Sequence, residues 1–101
     1  MPDTLGEVAD QVRSKNAGPF WQTLEAFLPD DAAYRRTEPL ITASLIAALY
    51  HVDAGAVQIF RLPELRVIKV SFPRPLPQGS PRDRDMHAGQ QHVPLAGLVL
   101  P

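Results

Sequence analysis

The sequence predicts an α+β fold in which an antiparallel sheet carries a helix packed on one face. Two apolar runs, Val57 to Leu62 and Leu65 to Phe72, are separated by Pro63-Glu64 and are typical of a β-hairpin. Upstream of this hairpin, Thr42 is suited to cap a helix and precedes apolar residues at the spacing of one buried helical stripe. We expect all 101 residues to form a single domain, residues 1–101, because two halves would have cores too small to be stable.

The first third of the chain contains two candidate strands. Residues from Leu5 to Val12 fit either a short strand or a helical turn, and we expect a strand. The aromatic and β-branched content of Phe20 to Leu28 favours a second strand, which lies between Gly18-Pro19 and Pro29-Asp30. Both faces of this strand are largely apolar, which predicts a central strand or a subunit contact. One face holds Phe20, Leu24, Ala26 and Leu28, and the other Trp21, Thr23, Glu25 and Phe27.

The remaining elements follow from caps, prolines and alternation. Asp30 or Asp31 can cap a short helix before Pro39, and the helix after Thr42 is expected to reach about His51. In the second hairpin strand Lys69 and Ser71 point away from the apolar positions, as in a half-buried sheet. Residues 73–94 show no strand or helix pattern, so this segment is expected to be functional or disordered. Residues 95–100 are predicted to return as a last edge strand.

Composition and charge exclude several classes of function. A formal net charge of -1 and a pI near 6.3 argue against nucleic-acid binding, which usually requires a basic surplus. The chain has no cysteine and no apolar run near the roughly 18 residues that a membrane span needs. With no secretory leader pattern at its start, a cytoplasmic location is expected. A chain this small gains burial by self-association, so we expect a homo-oligomer.

The stretch from Arg13 to Gly18 is the first candidate binding site. Arg13 offers a planar fork for a carboxylate or phosphate, Lys15 a mobile charge, and Ser14 and Asn16 neutral hydrogen-bonding groups. Gly18 would let backbone N–H groups join them, so the set suits an anionic ligand. An ordinary solvated turn between two strands has the same composition, and the glycine spacing of a P-loop is absent. Both interpretations stay open.

The alternating charges from Arg82 to Asp85 are a second candidate. An exposed, self-neutralised run of ion pairs is one interpretation. In the other, Arg82 or Arg84 clamps a carboxylate while Asp83 or Asp85 fixes its geometry.

His87 and His92 lie close to these aspartates, and Gln91 is next to His92. Two histidines with Asp83 and Asp85 could ligate a metal, and a histidine could act as a general base. The spacing matches no recognised metal pattern, so we expect no metal and no cofactor. With no Gly-x-Ser-x-Gly elbow and no cysteine, a self-sufficient hydrolase is not indicated.

Three longer motifs resemble a known family. "RSKNAGPF" near the start, "RPLPQGSPRDRD" after the hairpin and "GQQHVPL" near the end resemble a bacterial family of proteins of about a hundred residues that carries a domain-of-unknown-function label. The resemblance covers essentially the whole chain and brings no known chemistry with it.

A more distant resemblance is to the C-terminal domain of acyclic terpene utilisation (AtuA-like) proteins. Residues 13–18 look like a variant of the Arg-Ser-Gly-Asp-Lys-Gly motif that opens that domain, with a neutral Asn16 where the motif has an acid. A helix entered through Ile41-Thr42 and a hairpin turn at Leu62-Pro63 follow in the same order. The resemblance implies a ferredoxin-like α+β fold.

These resemblances lead to three functional hypotheses. In the first, the chain is a small subunit of an AtuA-like large protein in the catabolism of carboxylates or acyl-CoA esters. Its anionic-ligand site would comprise Arg13, Ser14, Lys15, Asn16, Gly18, Arg82, Gln91 and His92. The second is a small enzyme with a site shared across a homodimer. The third is a homo-oligomeric structural module without a ligand.

Overall fold

The computed structural model describes residues 3–18, 20–73 and 92–100, and in them the protein has the predicted α+β architecture. Its strands form an antiparallel sheet of four strands in the order β1-β2-β4-β3. They are β1 (Gln11–Asn16), β2 (Trp21–Phe27), β3 (Gln58–Leu62) and β4 (Val67–Pro73). Two hairpins therefore join along β2 and β4, with β1 and β3 at the outer edges.

The helices are short. They are α1 (Leu5–Val8), α2 (Asp31–Thr37), α3 (Ala43–Tyr50) and α4 (Val93–Ala96), with single 3₁₀ turns at Glu38–Leu40 and Ala54–Ala56. Among the described residues, no helix has the length and apolar character to cross a membrane.

Side-chain caps start α2 and α3 where the sequence predicts them. Asp30 Oδ1 accepts a hydrogen bond from the Ala33 N–H at 2.8 Å, and Thr42 Oγ1 accepts one from the Leu45 N–H at 3.1 Å. Each cap satisfies an N–H that has no partner inside its own helix.

Cross-strand register divides the sheet residues between two faces, because directly paired residues point to the same side. The helix-covered face carries Val12, Ser14, Asn16, Gln22, Leu24, Ala26, Ile59, Arg61, Ile68, Val70 and Phe72. The opposite face is not covered by any of the described helices, and we call it the open face. It carries Gln11, Arg13, Lys15, Trp21, Thr23, Glu25, Phe27, Gln58, Phe60, Leu62, Val67, Lys69, Ser71 and Pro73.

The hydrophobic core lies between the helix-covered face and the helices. Leu24, Ile46 and Phe72 are fully buried there. The Tyr50 ring of α3 packs on the Phe72 ring of β4 with centroids 4.9 Å apart. The predicted packing of a helix on one face of the sheet is confirmed.

Strand β2 is a central strand, which was one of the two alternatives that its apolar faces predict. It pairs with β1 on one side and β4 on the other, and residues 22–26 are all buried. Burial on both faces explains why its sequence does not alternate cleanly between apolar and polar residues.

The prediction of a strand over Leu5 to Val12 is wrong for its first half. Thr4 and Glu7 form a capping box: the Glu7 N–H donates to Thr4 Oγ1 at 3.3 Å, and Glu7 Oε1 accepts from the Thr4 N–H at 3.0 Å. This local hydrogen bonding starts α1 and delays the first strand to Gln11.

The prediction of an edge strand over residues 95–100 is also wrong. Pro94 occupies the first turn of α4, where its missing N–H costs nothing, and the helix includes Leu95 and Ala96. Beyond it, only an isolated antiparallel bridge joins Val99 to Thr4 within the described residues.

The two hairpin turns differ in position from the predicted ones. Arg13 to Gly18 was predicted as a turn, but β1 continues through Asn16 and the turn begins at Ala17. Gly18 adopts φ +85°, a conformation that glycine reaches without strain. The β3–β4 hairpin is confirmed, and its turn extends over residues 63–66 with Arg66 at φ +55°.

Candidate anion-binding face

Strand alternation divides the residues predicted to bind an anion. Arg13 and Lys15 point to the open face of the sheet, whereas Ser14 and Asn16 point to the helix-covered face. The sequence interpretation as one polar loop would have brought all four together. Because the segment is a strand, its two cations join the open-face residues of β2 and β4 instead.

On the open face, three cations surround one carboxylate. We call Arg13, Lys15, Glu25 and Lys69 the sheet-face cluster. Arg13 Nε lies 2.9 Å from Glu25 Oε1, Lys15 Nζ lies 3.5 Å from the same oxygen, and Lys69 Nζ lies 3.6 Å from Glu25 Oε2. Register explains the arrangement, since Glu25 of β2 is directly paired with Arg13 of β1 and with Lys69 of β4.

The cluster combines a covered carboxylate with accessible cations. The side chain of Glu25 is only 4% exposed, while those of Arg13, Lys15 and Lys69 are 47%, 55% and 40% exposed. Three positive charges and one negative charge leave a net charge of +2 on this part of the face. An ammonium group has three donors and a guanidinium five, so donors remain for a bound anion.

Glu25 is ionised at neutral pH. Desolvation raises its pKa, but the hydrogen bond from Arg13 and the charges of Lys15, Arg13 and Lys69 outweigh that effect, so the pKa lies below its ordinary value of 4.5. The carboxylate thus acts as a fixed counter-ion that holds the cations in place. Arg13 is held from a second side, because its guanidinium carbon lies 5.0 Å from the centroid of the Phe27 ring.

A concavity of about 490 Å³ lies beside the cluster. Its lining comprises two ammonium groups, two hydroxyls and two apolar side chains: Lys15, Lys69, Thr23, Ser71, Phe60 and Leu62. The Thr23 and Ser71 hydroxyl oxygens are 3.1 Å apart. Its volume is in the range of small-molecule sites, and its cations and hydroxyls suit an anion with an apolar substituent.

Ser14 and His92 meet on the helix-covered face. Ser14 Oγ accepts a hydrogen bond from the His92 backbone N–H at 3.0 Å and lies 3.5 Å from His92 Nδ1. Both interactions tie the start of α4 to β1. Gln22, directly paired with Asn16, is 1% exposed, and its Oε1 has no hydrogen-bond partner among the described residues.

The other predicted site residues fall into two groups. Gly18 lies in the β1–β2 turn, where its positive φ gives it a conformational role. Arg82 and Gln91 lie outside the described residues, as do the metal-site alternatives His87, Asp83 and Asp85. Within residues 3–18, 20–73 and 92–100, no three His, Asp or Glu side chains are grouped as metal ligands.

Sequence reasoning missed the partners of Arg13 and Lys15. Alternation placed Glu25 on one face of the second candidate strand and Lys69 on the polar side of a hairpin strand, with no link between the two. The available signal was alternation, which already placed Glu25 with Thr23 on one face and Lys69 with Ser71 on another. The missing information was that β2 pairs with both β1 and β4.

Comparison with known proteins identifies the class to which this α+β chain belongs. The family model described as "Domain of unknown function (DUF4387)" matches residues 5–99. The chain therefore belongs to the DUF4387 family, which confirms the predicted membership of a family of unknown function. No curated protein and no solved structure matches the chain.

Proposed function

We propose that this protein is a small accessory subunit that binds an anionic group with the cations of its open face, next to a larger protein. The observation that carries the proposal is the sheet-face cluster: three accessible cations held by one covered, ionised carboxylate. Arg13 and Lys69 are directly paired with Glu25, whereas Lys15 is paired with the neutral Thr23, so the cluster keeps a surplus of positive charge that could attract an anion.

The chemistry of the concavity narrows the ligand to a carboxylate or phosphate with an apolar part. Lys15 and Lys69 would bind the charged oxygens. Thr23 and Ser71 share a hydrogen bond, which leaves one of their two hydroxyl hydrogens to donate to the ligand. Phe60, 48% exposed, would cover the apolar part of the ligand. Carboxylic acids and acyl-CoA esters both fit this description.

The larger protein in this proposal is an AtuA-like protein. The variant of its C-terminal motif at residues 13–18 supports the choice, and the ferredoxin-like assignment of the α+β fold stays a prediction that goes with it. Arg13 and Lys15 of that motif face the proposed ligand. Ser14 contacts His92 on the other side of the sheet, so that pair would stabilise the subunit and not bind the ligand.

Calorimetric titration of the purified chain with malonate and with coenzyme A tests ligand binding. We expect binding that weakens as salt increases, and Lys69→Gln should raise the dissociation constant about tenfold, since it removes one charged donor. Arg35→Gln is the matched control, because Arg35 is exposed on α2 and carries the same charge. Two results would contradict the anion site: the same affinity in Lys69→Gln as in the control Arg35→Gln, or no binding of malonate or coenzyme A by the wild type.

Co-expression with an AtuA-like protein from the same cell tests the subunit assignment separately. We expect the two chains to co-elute in a fixed ratio. If the chain binds malonate but elutes alone at all concentrations, the anion site stands and the AtuA-like partner is wrong.

A further inference from the structure

We infer that a second copy of this chain pairs with the first along the outer edge of β3, so that the two open faces form one continuous surface. The pairing of the two copies is inferred independently of the proposed function. Only the statement that the joined surface binds anions rests on that function. It starts from strand β3, the five-residue edge strand Gln58–Leu62.

The outer edge of strand β3 is exposed and could pair with a strand of another molecule. Among the described residues, no strand pairs with its outer edge, and its sequence Gln-Ile-Phe-Arg-Leu is rich in residues with high β-propensity. The two residues of high β-propensity are Ile59 and Phe60. Phe60 is 48% exposed, and Leu65 in the adjoining turn is 70% exposed. An exposed apolar edge of this kind is a template for another strand.

The charge of the edge is already neutralised. Arg61 is the only charged residue of β3, and its Nε lies 2.8 Å from Glu38 Oε1. The terminal nitrogen Nη2 of the same side chain donates to the Ile41 carbonyl at 2.7 Å. The guanidinium is therefore held toward the helix-covered face and does not repel an approaching strand.

An antiparallel pairing centred on Phe60 uses the whole strand. In this register Phe60 is opposite Phe60 of the second copy, Gln58 is opposite Leu62, and Ile59 is opposite Arg61. Aromatic residues directly opposite each other stabilise a sheet. A shift of two residues toward the C-terminus would place the two Arg61 side chains opposite each other, and a shift of one residue would exchange the faces.

Repulsion between the sheet-face clusters of two copies also favours pairing along the β3 edges over stacking of the two open faces. Stacked sheets lie about 10 Å apart, so stacking would bring two clusters of net charge +2 together and remove them from water. Edge pairing separates the two β4 strands by three strand spacings, about 14 Å, which exceeds the Debye length of about 8 Å in physiological salt. Repulsion between the two clusters is therefore weak when the copies pair along β3 and strong when their open faces stack.

Edge pairing would also complete the concavity. Phe60 and Leu62 form its wall on the β3 side, beyond which no described strand continues the sheet. In the pair, Phe60 of each copy would extend the apolar wall of the other, and two anion sites would lie on one surface.

Sedimentation equilibrium over a concentration series, with single-site variants, tests the inference. We expect a wild-type dimer and at least a 30-fold higher dissociation constant for Phe60→Lys, which places two ammonium groups opposite each other. Phe20→Lys is the matched control, since Phe20 is 60% exposed in the β1–β2 turn. Circular dichroism checks that each variant is folded.

Single-cysteine variants make the test independent of the lysine substitution. The chain has no cysteine of its own, so any protein–protein disulfide that Phe60→Cys forms in the purified protein joins two copies. Rapid cross-linking of Phe60→Cys but not of Phe20→Cys supports the pairing. A monomeric wild type, or a dimer that survives Phe60→Lys and fails to cross-link through Phe60→Cys, would overturn it. Malonate binding by a monomeric wild type would overturn this inference and leave the proposed function intact.

Discussion

The two faces of the sheet carry different kinds of interaction although they share every strand. The helix-covered face has an apolar centre, with Leu24, Val70 and Phe72 at or below 1% exposure. The open face has the sheet-face cluster at its centre, with cations 40–55% exposed. Burial therefore stabilises this protein mainly from one side, while the ion pairs of the exposed cations on the other side should contribute little to stability. The proposed anion site lies on that second side.

Phe72→Ala should give the largest effect, on the helix-covered face. Phe72 is fully buried against Tyr50, so its truncation leaves a cavity and should lower the free energy of unfolding by about 3 to 5 kcal/mol. Urea unfolding followed by circular dichroism measures it. An effect below about 1 kcal/mol would mean that the helices do not pack on this face as described.

Tyr50→Phe tests one polar contact in the same layer. The Leu95 N–H donates to the Tyr50 hydroxyl at 3.1 Å, and removal of the acceptor leaves a buried donor unpaired, at a cost of about 1 to 2 kcal/mol. The ring stays on Phe72, so the loss should be well below that of Phe72→Ala.

The pH dependence of Tyr50 provides a second measurement. Desolvation raises the pKa of Tyr50 to about 12, although the backbone hydrogen bond from Leu95 opposes the shift. The unfolded chain loses this proton near the ordinary tyrosine pKa of 10.0 and the folded chain only near 12, so the stabilisation is complete below pH 10 and is lost as the pH rises to 12. We expect Tyr50→Phe to remove this alkaline loss. An unchanged alkaline limb would contradict the burial of the hydroxyl.

Glu25→Gln should separate stability from binding on the open face. Loss of the counter-ion should lower the free energy of unfolding by only about 1 kcal/mol, because water screens the exposed cations. It should tighten malonate binding at low salt, since the cations no longer share their charge with a carboxylate. A variant with weaker malonate binding would show that Glu25 positions the cations more than it neutralises them.

Acid titration gives the sign of the Glu25 contribution. The pKa of Glu25 is lowered in the folded state, so its stabilisation is present above the ordinary pKa of 4.5 and is lost as the pH falls through the folded-state pKa. The difference in stability between wild type and Glu25→Gln should therefore shrink below pH 4.5. Urea unfolding at pH 6 and at about pH 3 would detect it.

Lys69→Gln should have the smallest effect on stability and a clear effect on binding. Lys69 Nζ lies 3.6 Å from Glu25 and its side chain is 40% exposed, so the change should cost less than about 0.5 kcal/mol. Thermal unfolding is the check, with Arg35→Gln as the control. A loss comparable to that of Tyr50→Phe would contradict the division between the two faces.

The sequence predicted most of the elements because their signals are local. Thr42 and Asp30 cap helices through hydrogen bonds within three residues, and the β3–β4 hairpin follows from two apolar runs around Pro63. The failures at both ends have the same cause. At each end a local helix-start signal was interpreted as strand: the capping box of Thr4 and Glu7, and Pro94 in the first turn of α4. The Leu5 N–H also bonds to the Leu98 carbonyl at 2.8 Å, a long-range contact that no local pattern reveals.

The sequence predicted two of the cations of the candidate site but not the residues that they contact. Arg13 and Lys15 were found from their chemistry, but Ser14 and Asn16 were grouped with them because the segment was interpreted as a turn. Glu25 and Lys69 join Arg13 only through the order β1-β2-β4, a long-range pairing that alternation alone does not specify.

The most direct test of the central claim is malonate titration of the variant with Arg13→Gln, Lys15→Gln and Lys69→Gln combined, against wild type. The account predicts that the variant unfolds within about 1 kcal/mol of wild type and has lost malonate binding, because its open face keeps its packing and loses its cations. Wild-type affinity in the variant, or a variant that cannot fold, would contradict the claim that this face binds anions and contributes little to stability.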